Sequence, residues 1–206
     1  MKVLLINGSP HEKGCTYTAL SLIAGELKAQ GIETEILHVG GQPVGGCISC
    51  GGCRSGNGCV FGGVVNEAIE KAKTADAFVF GSPVHYASAA GNMASFMDRL
   101  AYAGGKYLAY KPAAICCSAR RAGTTSTLDQ LVKYPQFFHM PLVNGSYWAM
   151  VHGSNPEQVL QDAEGCAVMQ ELGRNMAWLL RCIEAGKAAG IEHPENPRRP
   201  MTNFIR

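Results

Sequence analysis

The chain alternates short, continuous apolar runs with longer segments of helical period, and this alternation most constrains its fold. Val3 to Ile6 is such a run and ends at Asn7-Gly8, as expected of a strand buried on both faces. Further strands are predicted over residues 33–39, 77–80 and 113–117, with a fifth beginning at 141–143. Strands that alternate with helices favour an open parallel sheet covered by helices on both faces.

The predicted units lack a G-x-G-x-x-G run, which favours a doubly wound five-stranded sheet of order 2-1-3-4-5 over a dinucleotide-binding arrangement. The 206 residues suit one domain, predicted over residues 1–190, with residues 191–206 as a C-terminal arm. The last helix is predicted to follow Asn155 as N-cap, with Pro156 at its first position. Ligands of such sheets bind at the carboxyl ends of the strands.

Charge and hydropathy exclude several classes of function. A net charge of +2, from 18 basic and 16 acidic residues, lacks the basic excess of a nucleic-acid-binding protein. No apolar run is long enough to span a bilayer, and Val3 to Ile6 is too short for a secretory signal. Nine cysteines, an odd number, argue against a secreted disulfide scaffold. The sequence therefore predicts a cytoplasmic protein with no nucleic-acid or membrane partner.

Four of the cysteines, Cys47, Cys50, Cys53 and Cys59, lie together in the segment GCISCGGCRSGNGC. This segment belongs to a predicted glycine- and cysteine-rich loop at residues 40–62. Four thiolates are the ligand set of a cubane iron–sulfur cluster, and repeated C-x2-C steps occur in bacterial ferredoxins. Zinc binding and free or redox-active thiols remain open as alternatives.

The loop after the first strand has the composition of an anion site. It and the start of the next helix carry hydroxyls at Ser9, Thr16 and Thr18 and cations at His11 and Lys13. Together with backbone N–H groups at a helix N-terminus, these groups suit a phosphate.

Two more loops follow the third and fourth strands. The first, Gly81 to Tyr86, offers aromatic rings that can wall a flat ligand. The second, Ser118 to Thr125, is small and polar and contains Arg120 and Arg121. All three loops are predicted at one edge of the sheet, where a phosphate pocket, an aromatic wall and a donor loop describe a site for flavin mononucleotide (FMN).

Two segments of the sequence resemble motifs of a known family. GSPHEKGCTYTAL resembles the phosphate loop GSPRxxGNTxxL of the NAD(P)H-dependent FMN reductases, and SPVHYASAAGNMASFMDRL resembles their SPVYxxxxxxxMKxFxDR segment. With the compact cysteine motif between them, the chain is similar to the iron–sulfur flavoprotein branch of these flavodoxin-like reductases.

The resemblance implies an FMN site in which the flavin carries the chemistry and no catalytic side chain is expected. The cofactor-binding residues that it implies are Ser9, His11, Gly14, Cys15, Thr16, Thr18, Pro83, Val84, His85, Tyr86, Ser118, Ala119, Arg120, Arg121 and Gly123. His11 and Cys15 depart from the family's Arg and Asn. The family's Asp-Arg pair matches Asp98-Arg99, which we expect to form a structural ion pair at a helix end.

The predicted function is that of an FMN-dependent oxidoreductase, with a 4Fe–4S cluster at the four cysteines as one option. Electrons would pass from NAD(P)H or a ferredoxin-type donor to a quinone, a flavin or an electrophilic aromatic. The resemblance also implies a dimer or tetramer. Two alternatives are an FMN reductase with zinc-binding, redox-active or empty cysteines, and a non-enzymatic electron carrier or flavin-sensing regulator.

Overall fold

The computed structural model describes residues 1–195, Thr202 and Phe204. The strands are β1 (Lys2–Asn7), β2 (Glu33–His38), β3 (Ala77–His85), β4 (Ser88–Ala89), β5 (Ala113–Ala119) and β6 (Met150–His152). The helices are α1 (Cys15–Ala29), α2 (Val64–Thr74), α3 (Gly91–Gly104), α4 (Thr124–Phe137), α5 (Pro156–Val159) and α6 (Ala163–Ala188). Most of the predicted C-terminal arm, residues 196–201, 203, 205 and 206, lies outside the described residues.

The strands form one sheet of order β2-β1-β3-β5-β6, and neighbours along this path are parallel. β4 lies off the path and pairs antiparallel with the end of β3. Because β4 only extends β3 into a hairpin, the five parallel strands follow the predicted order 2-1-3-4-5. No helix in the described part of the chain is long and apolar enough to cross a membrane.

The strand register aligns the carboxyl ends of the strands. Asn7 of β1 lies opposite Gly81 of β3, and the Gly8 N–H donates to the Gly81 carbonyl at 2.9 Å. Farther along the edge, Ser118 of β5 lies opposite Pro83 of β3. The loops that follow β1, β3 and β5 therefore emerge at one edge of the sheet, as predicted.

Helices cover both faces of the sheet and enclose one apolar cluster on each side. In β1, Leu4 and Ile6 pack toward α2, α3 and α4, while Val3 and Leu5 pack toward α1 and α6. This division explains the continuous apolar run of the first strand, since successive side chains point to opposite faces and both faces are buried.

The fifth strand pairs with β5 where it is predicted to begin, but it becomes regular only farther along the chain. The Ala113 N–H donates to the Pro141 carbonyl at 2.9 Å, and the Val143 N–H donates to the Ala113 carbonyl at 2.8 Å. These bonds form an isolated bridge between Leu142 and Ala113, and the regular strand β6 begins at Met150. Between the two, the Asn144 carbonyl accepts a hydrogen bond from the Asn175 side chain of α6 at 2.8 Å.

The long last helix is divided in two. Asn155 accepts a hydrogen bond from the Gln158 N–H, but the helix that it caps, α5, ends at Val159. A second cap follows, in which Asp162 accepts from the Gly165 N–H and starts α6. The predicted N-cap at Asn155 is confirmed, but the helix that it starts is the short α5, and the long helix α6 has its own cap.

Close packing of α6 on α1 depends on Gly173. A Cβ atom at this position would lie 2.8 Å from the Ile23 carbonyl oxygen and 2.8 Å from the Glu26 Cβ atom. We expect Gly173→Ala to lower the free energy of unfolding by about 1–3 kcal/mol, because the two helices must move apart. Urea denaturation measures this change.

Gly25→Ala is the matched control, because a Cβ atom at this exposed position of α1 meets nothing within 4 Å. It should raise stability by roughly 0.5–1 kcal/mol, through the helix propensity of alanine. Equal stability gains in the two variants would contradict the tight α1–α6 contact.

Candidate functional site

The loop between β1 and α1 is organised by Asn7, a fully buried residue. The Asn7 side chain donates to the Glu12 carbonyl at 2.9 Å and accepts from the Ser9 N–H at 3.1 Å. The Ser9 hydroxyl oxygen in turn accepts from the His11 N–H at 3.1 Å. Asn7 and Ser9 therefore shape the loop from within, a role for Asn7 that the sequence analysis missed.

The first turn of α1 suits an anion. Its N-cap, Gly14, provides no side-chain cap, so the first N–H groups of the helix have no partner within the helix. The Thr18 hydroxyl donates to the Gly14 carbonyl at 3.2 Å, and the Cys15 thiol lies 3.5 Å from the Gly153 carbonyl oxygen. The side chains of His11 and Lys13 are exposed beside this turn. Open N–H groups next to cations fit a phosphate.

A buried hydrogen bond joins this turn to the loop after β5. The hydroxyls of Thr16 and Ser118 lie 2.8 Å apart, and both residues are buried. Thr16 can come this close to the sheet because Gly81 has no side chain, since a Cβ atom there would lie 3.0 Å from the Thr16 methyl carbon. The predicted cofactor contacts of Thr16 and Ser118 stay predictions, and both hydroxyls already have a partner.

The aromatic segment is a rigid hairpin. β3 continues beyond its predicted end through Pro83 and Val84 to His85, and Tyr86 and Ala87 turn the chain with φ of 50° and 58°. Left-handed backbone is unfavourable at residues with side chains and persists only where the surroundings impose it. His85 and Tyr86 are exposed at the tip, where their rings are accessible to a ligand.

Residues of α4 hold this hairpin in place. The Gln130 side-chain oxygen accepts from the Ser88 hydroxyl at 2.6 Å and from the Ala89 N–H at 2.8 Å. The Ser126 hydroxyl donates to the Ala87 carbonyl at 2.7 Å. Gly123, with φ of 90°, touches the turn so closely that a Cβ atom would lie 2.7 Å from the Ala87 Cα atom. The loops that follow β3 and β5 therefore pack together as one unit.

The loop after β5 exposes its charged side chains to solvent. Ala119 is buried at the end of β5, whereas Arg120 and Arg121 are exposed at the carboxyl edge. Two cations beside the hairpin give this edge a positive potential, which favours a ligand that becomes negatively charged.

The four cysteines of the loop at residues 40–62 line one cavity of about 340 Å³. Cys47 and Cys50 are exposed, Cys53 and Cys59 are partly buried, and none of the four forms a disulfide. Among the described residues, no three His, Cys, Asp or Glu side chains converge closely enough to hold a single metal ion. The thiols share a cavity and not one coordination point.

Two asparagines fix the backbone of the cysteine loop. The Asn92 side chain of α3 donates to the Gly40 carbonyl at 3.1 Å and accepts from the Val44 N–H at 3.2 Å. The Asn66 side chain of α2 accepts from the Cys59 N–H at 2.8 Å and donates to the Cys59 carbonyl at 3.0 Å. The beginning of the loop and its last cysteine are thus tied to different helices.

Arg99 of α3 joins the two halves of the loop. It is only 7% exposed, and its Nη1 and Nη2 atoms donate to the carbonyls of Gly45 and Gly62 at 3.4 and 3.1 Å. Its Nε atom donates to the Cys59 sulfur at 3.2 Å. The ring of Phe61 covers the guanidinium, with the Arg99 Cζ atom 5.4 Å from the ring centroid.

The expected ion pair between Asp98 and Arg99 does not form. Asp98 instead accepts a hydrogen bond from the Tyr134 hydroxyl at 2.6 Å, and burial, together with this contact, raises the pKa of Tyr134. Adjacent residues of a helix point about 100° apart, so the two side chains face different neighbours. A helical-wheel reading groups Arg99 with Asn92, seven residues earlier, and this spacing was the signal available in the sequence.

The sheet edge and the cysteine cavity are separated along α3. This helix starts after Ala90 at the carboxyl edge, and Arg99 lies nine residues farther on. At about 1.5 Å of rise per residue, the cavity is roughly 13 Å along the helix from the edge.

Comparisons with known proteins show which sequences this chain is similar to. The sequence model of the family described as "NADPH-dependent FMN reductase" matches residues 1–155. An iron–sulfur flavoprotein of Methanocaldococcus jannaschii is 27% identical over 192 residues, which cover 89% of this chain and all of that protein.

Solved structures share the fold. RosB, solved with bound 8-demethyl-8-formylriboflavin-5'-phosphate, superposes with a TM-score of 0.71 at 14% identity, covering 100% of this chain and 92% of RosB. A flavodoxin from the domain Archaea superposes with a TM-score of 0.60 at 14% identity, covering 88% of this chain and 99% of the flavodoxin. The predicted flavodoxin-like fold is confirmed.

The thiols divide into an accessible group and an inert group. Burial raises the pKa of Cys117 to about 12 and also raises that of Cys116, so both stay protonated at neutral pH. In metal-free native protein near pH 8, we expect iodoacetamide to label the exposed thiols Cys47, Cys50 and Cys182 first. Cys117, which is fully buried and protonated, should react only after unfolding. Peptide mass spectrometry reads the order, and equal native labelling of Cys117 and Cys47 would contradict the assigned burial.

Proposed function

Because the chain belongs to the NADPH-dependent FMN reductase family, we propose that it passes electrons from NAD(P)H or a ferredoxin-type donor to a small acceptor. Family membership makes the chain a flavin oxidoreductase. The acceptor that we propose is a quinone, a free flavin or an electrophilic aromatic. The observation that carries the proposal is that three loops with residues suited to a phosphate and a flat ring converge at the carboxyl edge of the sheet.

Bound FMN would supply the redox chemistry, and the residues at this edge would bind and orient it. We propose that the open N–H groups of the first turn of α1, with His11 and Lys13, hold the phosphate. The hairpin tip at His85 and Tyr86 would wall the ring system. Arg120 would offset the negative charge that the flavin gains on reduction.

We further propose that Cys47, Cys50, Cys53 and Cys59 hold a 4Fe–4S cluster. A single zinc ion requires its thiolates about 2.3 Å from one point, whereas a cubane occupies a volume and takes one thiolate at each of four corners. A shared cavity of about 340 Å³ suits the cubane better. The name of the Methanocaldococcus jannaschii relative, an iron–sulfur flavoprotein, supports the same assignment.

The surroundings that we propose are a reducing cytoplasm and a homo-oligomer, either a dimer or a tetramer. None of the nine cysteines, all within the described part of the chain, forms a disulfide, which fits a reducing compartment. Large exposed aromatic side chains, including Tyr86 at 105% and Tyr102 at 73%, are typical of surfaces that associate.

Anaerobic purification with flavin, iron and sulfide analysis tests the two cofactor sites separately. We expect FMN and about four iron and four sulfide per chain in the wild type. Cys50→Ser should lose most of the iron and retain FMN, because Cys50 lies in the cysteine cavity and not at the sheet edge.

Cys182→Ser is the control, since Cys182 is an exposed thiol on α6, and it should change neither count. Flavin without iron or sulfide in the wild type would remove the cluster and leave an FMN reductase with zinc or free thiols. Protein that binds no FMN would overturn the proposal as a whole.

Rapid anaerobic mixing with NADH or NADPH tests the electron donor. We expect at least one of them to bleach the FMN absorbance and to sustain turnover with a quinone, because the family is described as NADPH-dependent FMN reductase. Flavin-free protein, mixed in the same way, is the control. Bleaching by reduced ferredoxin alone would assign the donor to the ferredoxin class, and reduction without turnover would indicate a carrier.

A further inference from the structure

The cysteine cavity contains a buried cation that the flavin chemistry does not use. Arg99 is 7% exposed, and among the described residues it forms no ion pair with a carboxylate. Its hydrogen-bond partners are two carbonyl oxygens and the sulfur of Cys59. A buried charge is costly unless an opposite charge lies near it. The Cys59 sulfur, as a thiolate, is the partner placed to provide that charge.

The whole cavity is biased toward an anionic occupant. Among the described residues, those that line it include two guanidinium groups, of Arg54 and Arg99, and no carboxylate. A cluster held by four thiolates carries a net negative charge, which grows when the cluster accepts an electron. The cations therefore favour the reduced form of the cluster over the oxidised form.

The direction of the hydrogen bond to sulfur is fixed. The two terminal nitrogens of Arg99 are held by the carbonyls of Gly45 and Gly62, on opposite sides of the cysteine segment. The planar guanidinium then leaves its Nε atom directed at the Cys59 sulfur, 3.2 Å away. Arg99 is only 7% exposed, and electrostatic interactions are stronger where water is excluded.

We propose that Arg99 is a positioning residue that orients the Cys59 thiolate and raises the reduction potential of the cluster. The inference rests on the proposed 4Fe–4S site, and it adds which side chain sets the potential. Hydrogen bonds to the sulfur atoms and outer-shell contacts are known determinants of cluster potentials in general. Arg99 supplies both a hydrogen bond and a buried charge at one ligand.

A redox titration of the cluster, followed by electron paramagnetic resonance, tests this role with Arg99→Gln and Arg99→Lys. At the wild-type midpoint, the ratio of reduced to oxidised cluster should fall about tenfold in Arg99→Gln, a shift of ~59 mV for one electron. Arg99→Lys keeps the positive charge but lacks the planar guanidinium, so the ratio of reduced to oxidised cluster should fall by a smaller factor.

Two variants control for charge and for loop geometry. Arg54→Gln removes the same charge from an exposed position on the same cavity, and solvent screening should make its shift much smaller. Asn66→Ala loosens the Cys59 backbone without changing any charge and should leave the midpoint near that of the wild type. Iron and sulfide counts accompany each titration.

An unchanged midpoint in Arg99→Gln would overturn the inference, as would equal shifts in Arg99→Gln and Arg54→Gln or in Arg99→Gln and Asn66→Ala. If Arg99→Gln loses its iron, the midpoint potential of Arg99→Lys tests the inference instead. A wild-type midpoint in Arg99→Lys would reduce Arg99 to a structural role, and a lowered one supports the inference. Wild-type protein without iron would instead contradict the proposed cluster itself, which separates the two failures.

Discussion

The buried hydrogen bond between Thr16 and Ser118 is the contact on which the carboxyl edge of the sheet depends. It ties the first turn of α1 to the end of β5 across the strand that lies between them. The helix α1 can pack this close to the sheet because Gly81 has no side chain. The loop before α1 is held by hydrogen bonds to the side chain of Asn7. The open N–H groups of α1 therefore face the same edge as the hairpin after β3. An anion pocket and a flat wall become parts of one site through packing.

The helix α3 connects this edge with the cysteine loop. Asn92 and Arg99 are seven residues apart, which is about two helical turns, so they lie on one face and both bind the loop. The adjacent face carries Met93, Phe96 and Leu100 into the core. A single helix thus sets the separation between the carboxyl edge of the sheet and the cysteine cavity within one chain. The loop itself has little regular structure and takes its shape from the helices that hold it.

Electrostatics distinguish the two ends of α3. At the sheet edge, His11, Arg120 and Arg121 are exposed, so water and salt weaken their fields. At the cysteine cavity, Arg99 is buried and its field acts at short range on one sulfur. The first arrangement suits binding of an anionic ligand from solution. The second suits fine adjustment of a group that stays in place.

Much of the fold could be predicted from local patterns in the sequence. The continuous run from Val3 to Ile6 predicted a doubly buried strand, and the capping signals at Asn155 and Pro156 marked a helix start where one occurs. The local signal was less informative for the fifth strand. The apolar residues around Leu142 form only an isolated bridge to Ala113, and the regular strand begins at Met150.

The sequence by itself determined the order of the strands, the loops at their carboxyl ends and the spacing of the four cysteines, because these follow from hydrophobic period and covalent order. Only the tertiary structure decided that Arg99 faces Cys59, forty residues away, while its neighbour Asp98 turns to Tyr134. Such partners depend on which face of a helix meets which loop. That choice belongs to the packing of the whole chain, and no short stretch of sequence contains it.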